Sequence, residues 1–178
     1  MADSDDKKRI FSIAMMHFLQ NRLMEIFGFG LFVISGLLLI ALITAGKNDP
    51  SFNQVSTAPV ANWLGPVGAN ISAGLYAAIG LASFFLALVP LFWGLSYFRK
   101  QPVPWMRFRT IVLPLSLFFL AGGLFALDGG GASDNGGAAG AVIIGMIMRV
   151  MQPIPSFMGL DTIPYVGGAA LFFGLLSW

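Results

Sequence analysis

Long apolar runs separated by short polar segments are the main feature of this chain. No Asp, Glu, Lys or Arg occurs within residues 26–46, 50–98 or 110–127. A helix needs about 20 apolar residues to cross the roughly 30 Å of hydrocarbon in a bilayer. The pattern predicts membrane-spanning helices at about 26–46, 74–98, 109–127 and 160–178.

The stretch before the fourth predicted span is apolar but interrupted. Arg149 and two prolines break residues 141–158, and an arginine at mid-bilayer costs from about 3 to more than 10 kcal/mol. We therefore expect residues 141–152 to form a re-entrant or interfacial helix on the outer side. The predicted fold is an all-α integral membrane protein, with a four-span membrane domain over residues 26–178 and interfacial or re-entrant outer helices.

The start of the chain, residues 1–25, is predicted to be a tail with an amphipathic lead-in helix. Residues 1–9 are polar and are expected to lack regular structure. Residues 10–25 follow the helical period, with His17 and Asn21 on a polar face. Such a helix is expected to lie on the inner membrane surface and to lead into the first span.

Composition agrees with a membrane protein. Apolar residues make up 57% of the chain and charged residues 10%, whereas soluble domains carry about 25% charged residues. The mean hydropathy is +0.81. The chain has no Cys and a single His, so disulfides, thiolate chemistry and a clustered metal site are not expected, and no cofactor is predicted.

Basic residues occur mainly in two places. Eight of the ten Lys and Arg lie near the start or in the short segment between the second and third spans. Lys and Arg in short loops stay on the cytoplasmic side of a membrane. The predicted topology determinants of this inner loop are Arg99, Lys100, Arg107 and Arg109. This loop could also contact anionic lipid or DNA, but the predicted orientation alone accounts for its basic residues.

The first outer loop contains turn-forming residues. Asp49 can accept backbone N–H groups, Pro50 restricts φ, and Asn53 can close a second turn. Further on, Asn62 or Gly65 is expected to cap the next helix, with the adjacent Trp placed at the membrane interface. Both motifs fit a structural turn or a surface that binds a partner. The candidate residues are Asp49, Pro50, Ser51, Asn53, Asn62, Trp63, Leu64, Gly65 and Gly68.

Two other patterns leave alternatives open. Small residues at Ala69, Ala73 and Ala77 repeat every four positions, which allows close helix packing within one subunit or between subunits. Arg149 and Asp161 are the only charged residues from position 135 onward. They fit an ion pair that orients the last helical segments, although Arg149 could instead reach the lipid headgroups.

The two halves of the chain are weakly alike. Residues 64–68 (LGPVG) lead to a small-residue helix and then to a span. Residues 136–140 (GGAAG) lead to a second small-residue helix and then to the last span. This likeness indicates a duplicated two-span unit.

Residues 49–53 (DPSFN) and 62–68 (NWLGPVG) together resemble the first outer loop of the membrane domain of FtsK-type (FtsK/SpoIIIE) DNA translocases. The order around them also fits that family: a span, the two motifs, a small-residue helix, a span and a short basic loop. The resemblance covers about residues 26–178.

The resemblance implies the amino-terminal membrane anchor of a septum-located motor, in the bacterial inner membrane with both ends in the cytoplasm. The full protein would continue, beyond these residues, through a linker into an ATP-driven motor that moves chromosomal DNA during division. The anchor would contact lipids and other cell-division membrane proteins. It would also self-associate, because motors of this family are hexamers.

The chain contains no phosphate-binding loop of the G-x-x-x-x-G-K-[ST] type. We therefore do not expect this part to be an enzyme, to hydrolyse ATP, or to bind DNA or nucleotides directly. The alternative is a small polytopic transporter or channel subunit, since broken apolar segments and internal duplication are typical of transporters. Against it, we expect no buried ionisable residue in the first three predicted spans to bind an ion or a substrate.

Overall fold

The computed structural model describes residues 2–100, 105–127 and 135–151, with side chains from position 15 to position 150. The helices are α1 Ala2–Ile43, α2 Gly65–Ile79, α3 Ser83–Phe98, α4 Met106–Leu127 and α5 Gly137–Met151. A 3₁₀ turn, Gly80–Ala82, joins α2 to α3. Within these described ranges there is no strand, so the all-α prediction is confirmed for them.

Three apolar helical segments are long enough to cross a membrane: Met15–Ile43, Gly65–Phe98 and Met106–Leu127. They overlap the first three predicted spans, although the first two begin about ten residues before the predicted starts. The predicted fourth span, residues 160–178, lies outside the described residues.

α1 is one continuous helix from Ala2 to Ile43. The expectation that residues 1–9 lack regular structure is therefore wrong, and no break separates the lead-in helix from the first span. No proline occurs before Pro50, so nothing in this part of the chain removes an N–H group from the helical ladder.

The second span is divided at Gly80, a break that the hydrophobic pattern did not predict. Gly80 has φ 59° and ψ −138°, and its N–H donates to the carbonyl of Tyr76 at the end of α2. A side chain would be strained in this conformation, which glycine adopts freely. The chain turns here, and α3 continues for 16 residues, or about 24 Å.

α1 and α3 pack against each other in opposite directions. Gly28 lies against Gly94, with the Gly94 carbonyl oxygen 2.8 Å from where a Cβ on Gly28 would be. Beside this contact, the Phe27 and Tyr97 rings meet edge to face with centroids 5.5 Å apart. Small residues at a crossing let two backbones approach closely, which is how helices associate in lipid.

α4 and α5 form the second packed pair. Ala139 belongs to a buried cluster with Leu117 and Leu120, and further along α5, Ile144 packs with Ala126. The start of α5 lies against the last turns of α4, since Gly136 and Gly140 both meet the Ala121 backbone. α5 begins at Gly137, a few residues before the start that the sequence predicted.

α2 and α5 correspond closely, as expected for a duplicated unit. Each has 15 residues, and each opens on a glycine with positive φ, 65° at Gly65 and 58° at Gly137. A second glycine follows three positions later, at Gly68 and Gly140. The two helices also meet, because Gly137 at the start of α5 lies against the backbone of Ala78 and Ile79 at the end of α2.

Candidate functional site

Asp49 organises the loop between α1 and α2. Its side chain is only 6% exposed. One carboxylate oxygen accepts the N–H of Ala61 at 2.7 Å, and the other accepts those of Gly46 and Asn62, each at 3.1 Å. These hydrogen bonds, chiefly the one from Ala61, favour the charged form and lower the pKa of Asp49 from its usual value. Burial acts in the opposite direction but does not outweigh them. Asp49 thereby ties the start of the loop to its end.

Asn62 links this loop to the end of α1. It is 4% exposed, and its side-chain amide donates to the carbonyl of Ala41 at 2.8 Å. Its side-chain oxygen accepts the N–H of Leu64 at 3.0 Å. From α2, the Tyr76 hydroxyl donates to the neighbouring Leu42 carbonyl at 3.1 Å. Side chains from outside α1 therefore satisfy carbonyl groups that a helix end leaves without intrahelical partners.

Thr44 completes this arrangement. Its hydroxyl donates to the carbonyl of Ile40 at 2.6 Å and accepts the N–H of Trp63 at 3.2 Å. Asn62 lies just before α2 and Tyr76 lies near its end, so about 17 Å of helix separates them. Since both reach the last turn of α1, α2 lies across the end of α1 and not alongside it.

The predicted capping role of Asn62 or Gly65 is wrong. The residue before α2 is Leu64, and no side chain makes a capping hydrogen bond there. Asn62 instead donates to the Ala41 carbonyl near the end of α1. Gly65, with φ 65°, supplies the backbone bend that starts α2. Gly68 is needed for space, since a Cβ there would collide with the Asn62 side-chain oxygen and lie 2.6 Å from the Leu64 Cβ.

The residues after Asp49 form a tight turn. Ser51 and Gln54 exchange two backbone hydrogen bonds of 3.0 and 3.1 Å, and the Ser51 hydroxyl donates to the Asn53 side chain at 2.6 Å. Asn53 is exposed and makes this local contact at the turn. The turn is held to α2 by Asn70, whose side-chain oxygen accepts the N–H of Phe52 at 2.8 Å. Pro50, at the entry to the turn, is half-buried.

Sequence reasoning did not identify four residues that hold this loop: Thr44, Gly46, Asn70 and Tyr76. A signal was present for two of them. Asn70 and Tyr76 are polar side chains in an otherwise small and apolar helix, where a polar group is expected to have a specific partner. Gly46 gave no such signal. Its role is to leave room for the Asp49 carboxylate, since a Cβ on Gly46 would lie 2.8 Å from an Asp49 oxygen.

A cavity of about 600 Å³ lies between residues 45–54 and α2. Ala69, Ala73 and Ala77 line it, together with the Tyr76 side chain. The predicted small-residue ladder thus faces the loop and the cavity. Among the side chains that the structure describes, no group of three or more His, Cys, Asp or Glu could hold a metal ion. Besides hydroxyl and amide groups, its lining includes the charged residues Lys47 and Asp49.

Apolar side chains project outward from this hydrogen-bonded frame. Trp63 is 80% exposed and Phe52 is 72% exposed, while Val55 and Val67 are also exposed. Their backbones are held by the contacts described above, so this surface is presented in a defined arrangement. It can contact lipid or another protein.

The basic segment lies at the opposite end of the α1–α3 pair. The Lys100 ammonium is 3.3 Å from the Glu25 carboxylate, and Arg22 contacts the same group at 2.6 Å. Arg149 is exposed in the last turn of α5, where a cation interacts favourably with the helix dipole. Its predicted partner, Asp161, lies outside the described residues, so the ion pair stays a prediction.

Comparison with known proteins places the chain in a family. The model of the 4TM region of the DNA translocase FtsK/SpoIIIE matches residues 20–178. The chain is 29% identical to the DNA translocase FtsK of Azospirillum brasilense over 176 residues, which is 94% of this chain and 28% of that protein. It is 31% identical to that of Bradyrhizobium diazoefficiens over 157 residues, or 80% of this chain and 19% of that protein.

A shorter match of 64 residues is 41% identical to the DNA translocase FtsK of Caulobacter vibrioides, covering 36% of this chain and 8% of that protein. No solved structure matches the chain. The chain thus spans a minor part of its curated relatives, about a quarter of the Azospirillum protein. Because the family model covers nearly the whole sequence, the chain belongs to the family of the four-transmembrane region of FtsK/SpoIIIE DNA translocases.

Proposed function

We propose that this chain is the membrane anchor of a bacterial DNA translocase, and that it holds the motor of the longer protein at the division septum. The match of the four-transmembrane family over residues 20–178 carries this proposal. The helices support it physically, since three apolar segments are long enough to cross a bilayer. The anchor itself is not catalytic in this proposal, and ATP hydrolysis belongs to the motor.

The proposed orientation places both ends of the chain in the cytoplasm, with the loop around Asp49 outside. Arg99, Lys100, Arg107 and Arg109 lie in or beside the connection from α3 to α4, and basic residues in short connections favour the cytoplasmic side. An even number of spans is required for this topology, so the proposal includes the fourth span at residues 160–178.

The proposed contact with division proteins uses the outer loop. Its backbone is held by Asp49, Asn62 and Thr44, while Trp63 and Phe52 project from it. Exposed aromatic side chains on a rigid frame are typical of binding hot spots, because little conformational entropy is lost when they are buried. Self-association of the anchor, which the hexameric motor would favour, is also part of the proposal.

The transporter alternative has less support. In the part of the chain that the structure describes, Asp49 is the one buried charged side chain. Both of its oxygens are already engaged by backbone N–H groups. No buried charge is left there to bind a substrate or a coupling ion within a span.

Localisation tests the proposal. The chain is fused at its carboxyl end to a fluorescent protein and expressed in dividing cells of a related bacterium. We expect fluorescence at the inner membrane with enrichment at the septum. Replacing both Trp63 and Phe52 by Ser should reduce septal enrichment without reducing membrane insertion, and Lys47→Gln serves as the matched control on the same loop. Uniform membrane fluorescence of the unmodified fusion would contradict the septal role.

A further inference from the structure

The start of α4 carries two arginines in a position that the helix dipole does not favour. Arg107 and Arg109 lie in the first turns of α4, which begins at Met106. Cations near a helix amino terminus are disfavoured by the helix dipole. Arg99 and Lys100, by contrast, follow the carboxyl end of α3 at Phe98, where the same dipole favours a positive charge.

The nearby carboxylate is already used. Glu25 pairs with Arg22 at 2.6 Å and with Lys100 at 3.3 Å. Among the side chains that the structure describes, no carboxylate lies within ion-pair distance of Arg107 or Arg109. These two guanidinium groups therefore lack a counter-charge within that part of the chain.

The aromatic residues around the two arginines indicate the depth at which they lie. Trp105 is 80% exposed and Phe108 is also exposed. Beyond them, α4 continues as an apolar segment of crossing length, Met106–Leu127. Tryptophan is enriched where the hydrocarbon meets the headgroups. With Trp105 at that boundary, Arg107 and Arg109 lie within about one helical turn of it, from where their long side chains can extend to the lipid phosphates.

We propose that Arg107 and Arg109, together with Trp105, form a docking surface for the headgroups of anionic phospholipids. A guanidinium group can donate two parallel hydrogen bonds to a phosphate, and each basic residue near an anionic membrane surface favours binding about fivefold. The indole of Trp105 packs at the glycerol level of the same lipid. The surface selects lipids with net negative charge, such as phosphatidylglycerol, over zwitterionic lipids.

DNA is the competing anion, and the structure favours lipid over it. Two arginines provide few phosphate contacts for a duplex, whose affinity depends on many of them. Trp105 and Phe108 are exposed apolar side chains. Binding to a DNA backbone would leave them exposed to water, whereas a bilayer would bury them. The proposal concerns lipid selection by this segment and does not depend on septal placement or on a motor.

The test uses the whole chain reconstituted in vesicles of equal parts phosphatidylglycerol and phosphatidylcholine. In each sample, only one of the two lipids carries bromine on its acyl chains. The bromine quenches the fluorescence of tryptophans that lie close to that lipid. The contribution of Trp105 is the quenching that disappears in Trp105→Phe. We expect brominated phosphatidylglycerol to quench this contribution about threefold more than brominated phosphatidylcholine, and the preference to shrink at high salt.

Substitutions separate this surface from general membrane charge. The double variant R107Q/R109Q should lose the preference for phosphatidylglycerol, whereas R107K/R109K should keep most of it. Lys47→Gln, at the other end of α1, and Arg22→Gln, whose partner is Glu25, should leave it unchanged. If R107Q/R109Q fails to fold, the lipid preference of R107K/R109K and the salt dependence of the unmodified chain still test the proposal.

Three results would overturn the proposal. The first is equal quenching by the two lipids. The second is a preference that Lys47→Gln or Arg22→Gln abolishes as completely as R107Q/R109Q does. The third is displacement of phosphatidylglycerol from Trp105 by a duplex oligonucleotide or by millimolar inorganic phosphate, since either would make the site a general anion site.

Discussion

Gly28 and Gly94 face each other so closely that neither position has room for a methyl group. A Cβ built on Gly28 would lie 2.8 Å from the carbonyl oxygen of Gly94, and one built on Gly94 would lie 2.7 Å from that of Gly28. The clash involves backbone atoms, which cannot rotate away as a side chain can. The approach of α1 to α3 therefore depends on both glycines.

Gly94→Ala should separate α1 from α3 and destabilise the fold. Inserting a methyl group into a packed contact costs about 1–3 kcal/mol, and thermal unfolding in detergent measures the loss. Gly30→Ala is the matched control on α1, because no atom lies within 4 Å of its built Cβ. The control should be neutral or slightly stabilising, since Ala favours a helix over Gly by roughly 0.5–1 kcal/mol. Equal melting temperatures for the two variants would contradict the close crossing.

Asp49→Asn should lower the stability of the loop at neutral pH and remove a pH dependence. The folded protein lowers the pKa of Asp49 below its unfolded value, so the carboxylate contributes stability above about pH 4. That contribution is lost as the pH falls through the lowered pKa, because the proton binds the unfolded chain more tightly.

Thermal melting at pH 7, 4 and 3 checks this prediction. The difference in melting temperature between the unmodified chain and Asp49→Asn should be largest at pH 7 and should shrink towards pH 3. Comparing the two proteins at each pH cancels the titration of Glu25 and other carboxylates. A difference that stays constant over this range would show that the charge of Asp49 does not hold the loop.

Asn62→Ala should be strongly destabilising, whereas Asn53→Ala should have little effect. Asn62 is buried and bonds both Ala41 and Leu64, and leaving such buried groups without partners costs about 1–3 kcal/mol each. Asn53 is exposed and accepts a single hydrogen bond from Ser51. Chemical unfolding of the two variants in detergent provides the comparison, and a larger loss for Asn53→Ala would refute the role assigned to Asn62.

Gly68→Ala should disturb the same region by a different route. Its methyl group would press on the Asn62 side chain and on Leu64, so the expected cost is about 1–3 kcal/mol. Gly36→Ala is the control, since its built Cβ meets nothing within 4 Å. Combining Gly68→Ala with Asn62→Ala should cost less than the sum of the two, because the larger clash has been removed.

Single cysteines can test the proposed orientation, because the chain has none of its own. Lys47→Cys places a thiol on the loop after α1, and Arg107→Cys places one at the start of α4. A membrane-impermeant thiol reagent added to intact cells should label position 47 and should leave position 107 unlabelled until the membrane is opened. The reverse pattern would invert the topology and contradict the anchor with its ends in the cytoplasm.

The first three predicted spans overlap the apolar segments of crossing length in the structure, because crossing a bilayer requires a long apolar run and such a run is visible in the sequence. The break at Gly80 was not predictable in the same way, since Gly80 is one of 22 glycines. Gly80 has a positive φ, and its backbone lies close to Gly137 at the start of α5. The candidate loop was identified from its turn residues, but the partners of Asn62 and Tyr76 were not, because these bonds join positions 21 and 34 residues apart.

The sequence by itself indicated a helical membrane protein and its family. Hydropathy, charge placement and the two loop motifs are local properties, so they can be seen without the fold. Only the tertiary structure decided what the loop residues do. Asp49 and Asn62 satisfy backbone groups of distant segments, and α2 lies across the end of α1, because a helix end in or near lipid needs partners that only the folded chain brings to it.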